Sequence, residues 1–336
     1  GISAGKSIVT ANKEVMARHG SDIQTKAREN GVHVMFEASV GGGTPIIAPL
    51  LRDLVANDIV AINGIINGTT NYILTKMARE GVDFGDALKE AQELGYAEAD
   101  PTNDVEGIDA AYKLAVLSTL AFHVRVRDVD VHREGITRLK GRDFRYASEL
   151  GYNIKLMAMA RKSEGFLQVR VHPAFVPADE LIAKVDGVLN AVEVDTDLAG
   201  RVLFHGAGAG PVPTASAVIA DITAIAHSIL GHSPPAVSVN LNEYLRVRPI
   251  SALETKYYLR LSVMDRHGVL AQIARVLGDL RISIDSVLQK GTDEATRSAE
   301  LVLTTHRAGE ASMQEAMRQM QGLDVVQEVG IMVRVE

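Results

Sequence analysis

Between residues 105 and 123 the chain places apolar side chains on every face of a helix. Ile108, Ala110, Ala111, Leu114, Ala115, Val116, Leu117 and Leu120 run right round it at 3.6 residues per turn. A helix without a wet side must sit at the centre of a folded unit. Within that apolar run stand Asp109 and Lys113, four apart and therefore on one face. On a solvated helix such a pair is a surface ion pair worth roughly a few tenths of a kcal/mol. In a buried helix its desolvation often exceeds its attraction, so the pair is a better candidate for chemistry than for stability. The segment leading in, 95–104 (GYAEADPTND), adds the carboxylates of Glu98 and Asp104. Together these groups offer carboxylates for an ammonium group and an ammonium for an oxyanion.

The 336 residues allow about two or three domains. At 46% hydrophobic and 23% charged, the composition is that of a soluble globular protein with sizeable cores. Net charge is −7 and no dense Lys/Arg run occurs, so no nucleic acid is expected as a partner. The absence of cysteine excludes disulfides, thiolate zinc sites and cysteine nucleophiles. No apolar run reaches the length of a membrane span, so no membrane association is expected. Lys6 and residues 12–14 interrupt the early apolar stretch and rule out a signal peptide there, which makes the cytoplasm the expected compartment. The chain begins at Gly1 with a strand-like run almost at once, so it reads as a fragment.

Residues 7–10 and 33–36 read as strands flanking a helix over 22–30 that Ser21 caps and Gly31 closes, a parallel βαβ unit. A glycine loop, 39–45, leads into a helix to about residue 56. A strand over 58–63 follows, then a turn-rich loop over 64–71 and a helix to residue 80. Further helices are expected over 85–94 and up to about residue 123. From residue 153 the period changes to that of strands. Runs 153–161 and 166–172, then 188–194 and 201–205, form hairpins of an antiparallel sheet with helices on one face. A helix over 214–230 follows, packing back on the first unit. Residues 231–255, with Ser233-Pro234-Pro235, read as a linker. Residues 256–336 give the order βαββαβ, a ferredoxin-like arrangement. The fold class is thus α/β plus α+β: a partial Rossmann-like unit (1–36), an α+β catalytic and dimerisation unit (37–230), the linker, and the ferredoxin-like unit.

Three further segments carry possible chemistry. Thr10–Lys13 (TANK) lies at the carboxyl end of a parallel strand, where open α/β sheets bind ligands. The alternative is a helix starting at Asn12 with a solvated lysine. Residues 37–44 (EASVGGGT) expose backbone, with carbonyls for a hard cation or amides for a phosphate, or they are a plain tight connection. The run 206–210 (GAGAG) fails as a dinucleotide fingerprint because Pro211 stands where the last glycine belongs. It remains a loop suited to close approach of a ligand. His132, His172 and His205 lack metal-binding spacing and read as core or surface residues.

Five blocks in order, TANK, EASVGGGTP, GxxNGTTNYIL, GYAEADPxxDVxGxDAAYKLAxL and GAGAGPxPTASAVxxD, resemble homoserine dehydrogenase over residues 1–230. Residues 256–336 resemble an ACT domain, with Asp265–Leu270 (DRHGVL) at the first strand–helix junction, where His267 replaces the usual proline. The resemblance implies NAD(P)-dependent interconversion of L-aspartate 4-semialdehyde and L-homoserine, in threonine, methionine and isoleucine biosynthesis. It implies Lys113 as proton donor with Asp109 beside it, and Glu98, Asp104 and Thr69 at the substrate. Lys13 and Gly210 are implied at the cofactor, NADP or NAD. Glu37, Val40, Gly42 and Thr44 match positions that hold a sodium ion. An amino-acid effector, threonine by pathway, and a homo-dimer or higher oligomer are expected. The glycine-rich turn of such a family lies upstream of TANK, so this fragment is expected to bind NAD(P) poorly. A phosphorylating semialdehyde dehydrogenase needs a thiol, which this chain cannot supply. The competing reading is a non-catalytic amino-acid-binding regulator that keeps only scaffold and sensor.

Overall fold

The computed structural model describes residues 1–232, 241, 245–293 and 297–336. Its first unit is a parallel pair, β1 (Ile8–Val9) beside β2 (Val34–Met35), with α1 (Lys13–Glu29) crossing between them. The helix starts well before residue 22. Asn12 caps it, accepting the Val15 N–H at 3.0 Å, and no residue between 13 and 21 forces a break. The expected helix up to residue 56 shrinks to a π-type turn, Pro49–Asp53. Pro49 removes the backbone donor that a helix begun at Pro45 would use there.

β3 (Ile59–Ile65) leads into α2 (Gly68–Glu80), which begins inside the expected loop because Asn67 caps it. Then come α3 (Phe84–Glu93), the single turn α4 (Thr102–Val105) and α5 (Ile108–Phe122). Gly107 separates the last two at φ +73°, a left-handed conformation that favours glycine. After β4 (His132–Arg133) and α6 (Gly141–Glu149) come two hairpins, β5 (Tyr152–Ser163) with β6 (Phe166–Pro177), and β7 (Leu189–Thr196) with β8 (Arg201–Ala207). The strands lie in the order β6-β5-β3-β7-β8, every neighbouring pair antiparallel. Helices α2, α5 and α6 pack against this sheet. Leu114, Ala115 and Leu117 of α5 are fully buried, as its apolar circumference requires. Each such leucine contributes about 1.5–3 kcal/mol.

α7 (Pro211–Leu230) is long and apolar enough to cross a membrane by length and composition alone, contrary to the expectation that no such run exists. It leaves Val212, Ile219, Ile222, Ile229 and Leu230 exposed. At its middle, however, the buried Asp221 carboxylate accepts the Glu37 N–H at 2.9 Å. That bond ties the helix to the turn after β2. Of the expected linker, residues 233–240 and 242–244 lie outside the described residues.

β9 (Arg246–Arg248) then joins the edge of β6. The last unit contains β10 (Glu254–Met264), α8 (Val269–Asp279), β11 (Ile284–Asp293), β12 (Ser298–Thr305), the short β13 (Ala308–Gly309), α9 (Glu310–Gln321) and β14 (Val326–Val335). Its antiparallel order β11-β12-β10-β14 is ferredoxin-like, over a separate core that includes Leu259, Leu261, Ile273, Leu277, Met313 and Met320. The end of β14 also pairs with β6 in parallel, Arg334 opposite Ala174 and Val335 opposite Phe175. The two sheets are therefore one. Phe175 packs on Tyr258 with ring centroids 4.6 Å apart. Two buried arginines reinforce the seam: Arg260 bonds Asp143 of α6 at 2.7 Å, and Arg334 bonds both Glu134 and Glu310.

Candidate active site

α5 delivers Asp109 and Lys113 to the start of α2, both buried, at 4% and 9% exposure. Lys113 Nζ lies 2.7 Å from Asp109 Oδ2 and donates to the Ile66 carbonyl at 2.8 Å. The other Asp109 oxygen pairs with Lys13, the first residue of α1. A helix does start at Asn12, and its lysine, though 44% exposed, is not free in solvent: it reaches across to Asp109 of α5. Burial opposes the Asp109 charge, and the two ammonium groups overcome it, holding the carboxyl well below the usual range.

Asn67, the residue after Ile66, completes the cluster. Its Nδ2 donates to Asp104 Oδ1 at 2.6 Å and to Asp109 Oδ2 at 2.9 Å. Asp104 stands on α4. Burial raises its carboxyl, opposed by the Asn67 bond and added to by the Asp109 charge. Asn67 is not among the site residues expected from the sequence. Its signal was the asparagine that precedes an apolar-periodic run, the usual mark of a helix cap.

The other expected residues surround this cluster unevenly. Glu98 is exposed on the loop after α3, and its side chain makes no hydrogen bond or ion pair among the described residues. Thr69 donates its hydroxyl to the Tyr96 carbonyl at 2.7 Å, which fastens that loop to the first turn of α2. Gly210 caps α7 at φ +124°, and a Cβ there would meet nothing closer than 3.4 Å.

Glu37, Val40, Gly42 and Thr44 are all buried. The Glu37 carboxylate accepts three successive N–H groups, from Ile46 at 2.6 Å, Ile47 at 2.8 Å and Ala48 at 2.7 Å. The glycines beside it have a structural cause. A Cβ on Gly42 would lie 2.5 Å from the Gly208 carbonyl oxygen, and one on Gly43 would lie 2.7 Å from Pro213 Cβ. Loops 41–43 and 206–210 are rich in glycine because they cross each other. The close approach in GAGAG that the sequence suggested for a ligand is, at Gly208, an approach of chain to chain.

His132 lies 2.9 Å from Glu134, His172 is fully buried against the Pro173 carbonyl, and His205 is exposed on β8. Among the described residues no three His, Cys, Asp or Glu side chains converge to hold a metal ion.

The sequence model of the family described as homoserine dehydrogenase matches residues 45–223, and that of the ACT domain matches residues 257–325. A homoserine dehydrogenase from Pseudomonas aeruginosa is 44% identical over 345 residues, spanning 100% of this chain and 78% of that protein. The crystal structure of a homoserine dehydrogenase from Thiobacillus denitrificans is 45% identical with a TM-score of 0.94, covering 100% of this chain and 77% of its own. A hyperthermophilic archaeal homoserine dehydrogenase in complex with NADPH is 32% identical with a TM-score of 0.60, over 70% of this chain and 67% of that one. Likeness that extends along the whole sequence and holds in three dimensions admits one assignment: the chain belongs to the homoserine dehydrogenase family and carries an ACT domain.

Proposed function

We propose that Lys113 is the acid–base residue in the family's reaction, the NAD(P)-dependent interconversion of L-aspartate 4-semialdehyde and L-homoserine. One observation carries this reading. An ammonium has three N–H groups, and Lys113 commits two, to Asp109 and to the Ile66 carbonyl, leaving the third for a substrate oxygen. Bound NAD(P)H supplies the hydride. As negative charge grows on the aldehyde oxygen, Lys113 stabilises it and delivers the proton; in the reverse direction it takes the hydroxyl proton. Asp109 stays ionised and holds the lysine in place. Glu98 and Asp104 receive the substrate ammonium, with the Thr69 hydroxyl nearby.

Lys13 and Gly210 fit a nicotinamide contact. Lys13 keeps 44% of its side chain exposed at the carboxyl edge of β1, and Gly210 presents backbone with no side chain of its own. The archaeal relative in complex with NADPH supports the same cofactor class here. A sodium ion fits the 37–44 turn in one respect: Thr44 Oγ1 is buried with no hydrogen-bond partner. Because the Glu37 carboxylate is committed to three N–H groups, Glu37, Val40 and Gly42 would contribute carbonyls.

The ACT domain takes an amino-acid effector, and the product pathway points to threonine. Its sheet is continuous with the catalytic one, so strain there has a mechanical route inward. β11 ends the described sheet as an edge strand, a template for pairing with a second copy in a homo-dimer or larger assembly.

The test is Lys113→Ala in the purified enzyme. Homoserine oxidation should fall by about 10²–10⁴-fold in kcat, with smaller change in KM. Near-normal oxidation overturns the assignment.

A further inference from the structure

We infer that Asn67 is a positioning residue that sets the spacing and the ionisation of Asp104 and Asp109, and so the readiness of the site for an amino-bearing substrate. The inference rests on the reading of Lys113, Asp109 and Asp104 given above.

The orientation of the Asn67 amide is decided by its surroundings. Its Oδ1 accepts from the Thr70 N–H and from the Thr70 hydroxyl, both at 2.8 Å. A flipped amide would aim its NH₂ at the Thr70 N–H, donor against donor, and its oxygen at two carboxylates. Neither contact is tolerable, so the NH₂ must face Asp104 and Asp109. Asn67 is 5% exposed, so water has little access to replace it. Each of its two hydrogens goes to a different carboxylate, at 2.6 and 2.9 Å.

The consequence is electrostatic as well as geometric. Asp104 and Asp109 repel each other, and burial presses Asp104 toward its neutral form. Lys113 and Lys13 lie directly on Asp109, so Asp109 is compensated by charge. Asp104 has no ion pair of its own, and Asn67 is the one hydrogen-bond donor to its side chain among the described residues. A neutral Asp104 would be a poor receiver for an ammonium ion. The preceding residue, Ile66, holds Lys113 by its carbonyl. One dipeptide at the start of α2 therefore aligns the proton donor, the residue that holds it, and the carboxylate facing the substrate.

The experiment separates this from helix capping. Serine and aspartate at position 67 both cap helices well, and neither supplies an NH₂. In the purified enzyme, Asn67→Ser should lower kcat/KM for homoserine by about 10- to 100-fold, with most of the loss in KM. The acid limb of its kcat/KM–pH profile should move upward by about 0.5–1 unit, because Asp104 loses its donor. Asn67→Asp adds a third carboxylate and should lose more, about 100-fold or beyond. Thermal unfolding of Asn67→Ser close to wild type confirms that the cap is kept, whereas the buried third carboxylate of Asn67→Asp should lower stability too, so that variant is read by its KM and pH profile. A purely structural role predicts lowered stability with an unmoved pH profile and KM, and that result overturns the inference. If Lys113→Ala abolishes turnover while Asn67→Ser leaves the profile unchanged, the proton-donor assignment survives and this inference alone fails.

Discussion

Replacing Arg334 by methionine tests how the ACT domain is fastened to the catalytic sheet. Arg334 is fully buried and makes four hydrogen bonds: to Glu134 at 2.9 and 2.7 Å, and to Glu310 at 2.8 and 2.5 Å. Methionine fills similar space but leaves Glu310, 1% exposed, as a buried anion with Tyr257 and Gln314 as its remaining side-chain donors among the described residues. Removing one partner of a buried charge pair costs about 3–5 kcal/mol. Glu134 keeps 33% of its side chain exposed, against 1% for Glu310, so most of the penalty resides in Glu310. Adding Glu310→Gln removes that anion, and the double variant should recover to within about 2 kcal/mol of wild type. Urea unfolding of the four proteins of the cycle gives the coupling directly. The wild-type pH dependence adds a second readout. Against burial, bonds from His132 and Arg334 hold Glu134 low, and Arg334 first among its partners holds Glu310 low. Both folded values lie below the unfolded ones, so their contribution is complete above the ordinary glutamate range and is lost as pH falls below that range and through the lowered folded values. Arg334→Met should flatten that acid slope. A single variant within about 1 kcal/mol of wild type, or a double variant no better than the single, refutes the reasoning.

Two further variants test backbone and buried charge elsewhere. Gly42→Ala combines a left-handed φ of +55° with a Cβ 2.5 Å from the Gly208 oxygen, and should destabilise by about 2–4 kcal/mol, whereas Gly85→Ala meets nothing within 4 Å and should gain roughly 0.5–1 kcal/mol in helix α3. Equal effects in urea unfolding would show that the crossing of the two glycine loops carries no constraint. Burial raises the Asp221 carboxyl to about 6, although the Glu37 N–H opposes it. The folded value exceeds the unfolded one, so wild-type stability from this group is greatest at acid pH and falls as pH rises through about 6. Asp221→Asn keeps an acceptor for Glu37 and removes the titration. It should therefore be the more stable protein at neutral pH, by up to about 3 kcal/mol, and equal to wild type near pH 4. A difference that does not vary with pH would count against the shifted carboxyl.

Much of this molecule was legible in one dimension because it follows from local periodicity. The all-round apolar helix that became α5, the two hairpins and the βαββαβ order of the ACT domain are patterns with periods of 3.6 and 2. Asp109 and Lys113 share a face by helical geometry alone, and burial of that helix made them chemical candidates before any contact was known. Helix starts were less legible. Asn12 and Asn67 each cap a helix earlier than expected, and a capping asparagine in sequence looks the same as one in a loop.

Only the tertiary structure decided what lies across from what. It placed Lys13 on Asp109, 96 positions further along the chain by their numbering, and gave Asn67 two carboxylates drawn from different helices. It showed the two glycine runs to be a crossing of backbones, and it merged two sheets that the sequence presents as separate units. The physical reason is the same in each case. Propensity and periodicity depend on neighbours along the chain, whereas ion pairing, close approach and strand pairing depend on distance in space, which is set only when the cores pack.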